Sequence, residues 1–103
     1  LEVYIIMVNI KNEMTDSLFK AILTLETVEE CYKFFEDVCT VKEIKAIAQR
    51  LEVARMLKNK QLYSKIVSDT GASTATISRV NRSLMYGSEG YDIVFDRLEE
   101  KDK

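Results

Sequence analysis

The chain has 103 residues, 47% of them apolar and 31% charged, with a net charge of −2. One domain of this length buries roughly two-thirds of its unfolded surface, and an acidic whole counts against nucleic-acid binding driven by overall charge. Three glycines and no proline point to helices with short connections, the lack of histidine leaves Cys31 and Cys39 too few partners for zinc, and no run of about twenty apolar residues spans a membrane.

Residues 1–11 read as an N-terminal extension to a helical domain at 12–103. Within it LEVYIIMV, Leu1 to Val8, is rich in β-branched residues and suits a short strand, a helix lead-in or a partner-binding arm. Met7 offers an alternative start that would make residues 1–6 an upstream extension. From Asn12 to Leu25, Met14, Leu18, Phe19, Ile22 and Leu23 recur at helical spacing. Thr27 caps a second helix, with Glu30 completing a capping box, and Val28, Cys31, Tyr32, Phe35 and Val38 form its buried side. The two cysteines, lacking C-x-x-C spacing, read as buried free thiols of a cytoplasmic protein.

Thr40 caps a longer helix with Glu43 in the box position. Ile44, Ile47, Ala48, Leu51 and Leu57 make its inward stripe, and Lys58-Asn59-Lys60 places cations at the negative end of its dipole. Phe34, Val53 and Met56 exceed what one stripe needs and suggest a subunit interface.

The stretch from Leu62 to Leu84, LYSKIVSDTGASTATISRVNRSL, reads as a helix-turn-helix. Its first helix runs from Leu62 to about Asp69, with Leu62, Ile66 and Val67 on one face. Gly71 takes the positive φ that ends the helix, and Ser73 caps the next one by accepting from the N–H of Ala75 or Thr76. Ile77, Val80 and Leu84 point inward. The other side presents Thr74, Ala75, Ser78, Arg79 and Arg82, a surface of small, hydroxylated and basic residues that suits a major groove. Between Thr70 and Ser88, Arg79 and Arg82 are the only charges, while acids collect at Glu26–Asp37 and Asp92–Asp102. Thr74, Ala75 and Ser78 are the candidates for base edges and Arg82 for a phosphate. Tyr63, Ser64 and Lys65 open the first motif helix and suit backbone positioning, alongside Ser73. A turn at Tyr86–Gly90 leads to a last helix, about Tyr91 to Glu100, with Ile93, Val94 and Leu98 inward. The total is an all-α protein of six helices.

Residues Thr40 to Leu84, and the wording CTVKEI, AQRLEVA and TGASTATISRVNR in particular, resemble the Trp repressor superfamily, most closely its YerC/YecD group. The likeness runs from about Leu18 to Phe95. It implies a six-helix, intertwined homodimer that presents paired helix-turn-helix units to a double-stranded operator. It also implies an effector pocket, with Thr40 and Arg50 on one side and Thr76, Arg79 and Ser83 on the other. Val80 stands where the repressor has a glycine that makes room for the indole. Overpacking of this kind costs about 1–3 kcal/mol, so tryptophan is not carried over and the effector stays unknown. The expectation is a sequence-specific DNA-binding regulator. The rival is a helical adaptor that binds proteins through the same fold, which the acidic balance favours. An enzyme is the poorest reading, since no nucleophile has an activating base beside it.

Overall fold

The computed structural model describes residues 10–102, and the strand, lead-in or arm expected for Leu1 to Val8, with the Met7 start, lies outside them. Among the described residues there are six helices: α1 Glu13–Ile22, α2 Val28–Val38, α3 Val41–Lys58, α4 Tyr63–Thr70, α5 Thr74–Tyr86 and α6 Gly90–Asp102. None of these helices is long and apolar enough to cross a membrane. The chain divides into two compact units, with the boundary after Ile44.

In the first unit the helix starts are set by local side-chain chemistry. The Asn12 side chain accepts from the Thr15 N–H at 2.8 Å, and Glu13 and Asp16 place negative charge in the first turn of α1. Thr27 accepts from the Glu30 N–H at 3.0 Å, as the box requires. The Glu30 carboxylate, however, accepts from the Glu26 N–H rather than that of Thr27. At α3 the box is complete: Glu43 N–H donates to Thr40 Oγ1 at 3.2 Å and Thr40 N–H to Glu43 Oε1 at 2.8 Å. Those two Thr40 groups hold the Glu43 carboxyl below its usual range, the backbone N–H first.

The expected burial of the first two helices differs from what is observed. No residue of α1 or α2 is buried. Met14 and Leu23 are more than four-fifths exposed, and Val28, Tyr32 and Val38 more than half. Cys31 and Cys39 are free thiols but only partly buried. The helices stand where the spacing puts them, but their apolar faces hold no buried residue.

The second unit holds the core. Val53, Ala54 and Met56 of α3, Ile66 of α4, Ala72 of the turn, and Ile77 and Val80 of α5 are buried together. Fully burying each of Ile66, Ile77 and Val53 stabilises the fold by about 1.5–3 kcal/mol. Val53 and Met56, read from the sequence as interface surplus, thus belong to the chain's own core, whereas Ile47 and Ala48 of the expected stripe are exposed. An eighteen-residue helix with apolar residues all round has no unique stripe, so tertiary packing picks the face.

Two further devices finish this unit. At the end of α3, Gln61 N–H donates to Met56 O and Lys60 N–H to Leu57 O, with Lys60 at φ 59°. That is a Schellman motif with lysine in the left-handed slot. Helix α6 docks through Tyr91 and Phe95, stacked with centroids 6.2 Å apart. Lys58 and Arg55 sit 5.6 and 6.0 Å from the Phe95 ring centre, and Lys58 pairs with Asp92. Ile93, Val94 and Leu98, expected inward, are each more than two-fifths exposed.

Candidate nucleic-acid interface

The site is built from α4, a three-residue turn and α5. Ile66 anchors α4 in the core, but Leu62 is 75% and Val67 37% exposed, so only one of the three expected inward residues is buried. Gly71 has φ 72°, and its N–H donates to Val67 O at 2.9 Å. The left-handed conformation costs a side chain roughly 1–2 kcal/mol, which is why glycine stands there. Ala72 then turns back into the core. Ser73 caps α5, accepting from the Thr76 N–H at 3.1 Å, one of the two donors expected.

Thr70 adds a brace to the turn. Its hydroxyl donates to Ile66 O at 2.6 Å and accepts from the Ala72 N–H at 3.1 Å. Its carbonyl accepts from Gln49 Nε2 of α3 at 3.1 Å. A threonine four residues after Ile66 signals the first bond, because Ser and Thr bond back to the i−4 carbonyl. Gln49 lies twenty-one residues away and carries no local signal.

With Ile77 and Val80 buried and Leu84 packed beneath, the opposite side of α5 faces outward. Ser73, Thr74, Ala75, Ser78, Arg79, Arg82 and Ser83 are all exposed. On α4, Ser64 and Lys65 are exposed and Tyr63 is 41% exposed; Lys65 pairs with Asp69 at 3.1 Å. The nine residues singled out for DNA therefore share the surface of two adjacent helices and their turn. No acidic side chain lies between Thr70 and Ser88. Such a surface combines hydroxyl donors and acceptors, a methyl and two guanidinium groups, the chemistry that reads base edges and phosphates.

The residues of the candidate effector pocket are used differently. Thr40 lies in the first unit, its hydroxyl engaged in the α3 cap. In the second unit, the Thr76 hydroxyl accepts from that of Ser73, and Arg50, Arg79 and Ser83 are exposed. Val80 is 3% exposed and packed in the core with Val53, Ala54 and Ile77.

Comparison with known proteins places this arrangement among relatives. Residues 13–99 match the family described as Trp repressor protein. The chain is 54% identical over 91 residues to the uncharacterized protein YerC of Bacillus subtilis (strain 168), covering 88% of each. It superposes on a crystal structure of a candidate Trp repressor from Staphylococcus aureus with TM-score 0.87 and 50% identity, covering 90% of this chain and 93% of that one. A TrpR-like protein from Eubacterium eligens ATCC 27750 gives TM-score 0.86 and 56% identity over 88% of this chain and 94% of that one.

Proposed function

Because the chain belongs to the Trp repressor family, we propose that it is a sequence-specific DNA-binding transcriptional regulator that works as a homodimer through its helix-turn-helix. The observation that carries this reading is the acid-free outer face of α5, exposed from Thr74 to Arg82 while its opposite face is locked into the core. Thr74, Ala75 and Ser78 meet base edges. Arg82 meets a phosphate, and Tyr63, Ser64 and Lys65 hold the backbone nearby. Arg79 is shared between two candidate roles, contact with DNA and the effector pocket that the resemblance implies.

Dimerisation supplies the cover that the first two helices lack. Exposed Met14, Phe19, Leu23, Val28 and Tyr32 are too many to leave in water on α1 and α2. A two-fold axis would set two reading helices about 34 Å apart, one turn of the duplex. Tryptophan is not part of the proposal, since buried Val80 stands where the resemblance puts a glycine that makes room for the indole. The protein acts by binding, with no reaction assigned to it.

Titration of the purified protein onto long duplex DNA at several salt concentrations tests the reading. Affinity should fall steeply and linearly on a log–log salt plot, as phosphate neutralisation requires, and added L-tryptophan should leave it unchanged. Binding indifferent to salt, or no binding by folded dimer, would favour a protein-binding adaptor.

A further inference from the structure

Resting on the DNA-binding reading, we propose that Gln49 is a positioning residue: it fixes the pitch of the reading helix against α3 and thereby the half-site spacing the dimer accepts. The geometry is a short relay. The side-chain amide of half-buried Gln49 on α3 donates from Nε2 to the Thr70 carbonyl at 3.1 Å. That carbonyl belongs to the last turn of α4, where no helical N–H remains to satisfy it. The same residue's hydroxyl bonds Ile66 O and the Ala72 N–H, both on fully or nearly fully buried residues. Gly71 and Ser73 follow within the same turn, so the direction in which α5 leaves is set by four residues tied to α3 through one amide. Ile66, Ala72 and Ile77 packing fixes how deep the reading head sits, but apolar contacts are non-directional. A directional bond at the turn is what resists rotation of the head about that packed point. In a two-fold dimer any such rotation is applied twice, once at each half-site.

The test uses the full-length protein with three replacements. Gln49→Met keeps the length and helix propensity but has no N–H; Gln49→Glu keeps the shape but only accepts; Gln49→Arg keeps a donor. First, amide exchange is followed at Gly71, Ala72 and Thr76, with Ile93 of α6 as the reference. Gln49→Met and Gln49→Glu should both speed exchange at the turn by about fivefold relative to Ile93, as loss of one net hydrogen bond implies, and Gln49→Arg should restore protection. Second, binding is measured to duplexes carrying the wild type's preferred half-sites at spacings one base pair shorter, equal and longer. The Met and Glu variants should flatten the spacing preference about tenfold while their affinity for random duplex stays within twofold. A packing role alone would separate Met from Glu and leave the spacing profile unchanged, and that result overturns the proposal. So does turn protection unaltered in both variants. If the wild type selects no spacing, the DNA reading fails, whereas the exchange arm still decides whether Gln49 holds the turn.

Discussion

Gly71, Lys60 and Glu89 occupy the left-handed region among the described residues, and the first two, each just past the end of a helix, make a controlled pair. Gly71 sits at φ 72° with open space where a Cβ would point, so any penalty for a side chain there is backbone strain alone. Gly71→Ala should destabilise by about 1–2 kcal/mol. Lys60 sits at φ 59° in the Schellman slot and already bears that strain, so Lys60→Gly should stabilise by about 1 kcal/mol, less the entropy glycine loses on folding. Urea midpoints of the two variants read both effects; a Lys60→Gly protein less stable than wild type would show that the lysine side chain contributes more than the turn geometry costs. At the outer face the same scale separates readers from holders. Ser78→Ala should cost about 1–3 kcal/mol at one base position, whereas Arg82→Ala should weaken all sequences alike and lower the salt slope by about one. Comparative titrations with matched and single-base-changed duplexes distinguish the two, and an unchanged slope for Arg82→Ala would remove it from the phosphate contacts.

Helix ends were far more legible than helix faces. Thr27, Thr40, Gly71 and Ser73 act within four residues of their own position, so their chemistry is written locally, and each ends or starts a helix where the sequence indicates. A face is defined only by what packs on it. Ile47 lies on the outer side of α3 and Val53 on the inner, although both are β-branched apolar residues of one helix; nothing in their spacing tells which side meets α4 and α5. The last helix misled in the same way, since Tyr91 and Phe95, rather than Ile93 and Leu98, meet the core and the cations of α3. The α3 capping box also carries a pH signature. Glu43 is held below its ordinary value of 4.5 in the folded chain, so its contribution is present above the unfolded-state value and is lost as pH falls through the folded one. The stability gap between wild type and Glu43→Gln should therefore be widest near neutrality and narrow below about pH 4.5. A gap that stays constant from pH 7 to pH 3 would mean the box acts through its neutral hydrogen bonds.

For the whole molecule, the division of labour is uneven. Among the described residues, the buried apolar side chains and the candidate reading surface all belong to the second unit, while α1 and α2 contribute apolar faces with no buried residue. Ten- and eleven-residue helices are marginal in water without such faces covered. Sedimentation should therefore give twice the 11.9 kDa chain mass. Phe19→Lys together with Tyr32→Lys should shift the protein to monomer and loosen the first two helices, whereas a monomeric wild type would leave those faces to some other partner. The outward position of the candidate residues was largely legible, because hydroxyls, small side chains and arginines opposite an inward stripe are a local pattern. The brace from Gln49 was not, because its partner is a backbone carbonyl that any residue could supply.

The central claim, a dimeric reader of specific sequence, is tested most directly by selecting bound sequences from a random duplex library with the purified protein at moderate salt. The account predicts enrichment of a near-palindrome whose half-sites lie about one helical turn apart, obtained without tryptophan. Recovery of an unenriched library by protein shown to be folded and dimeric would contradict it.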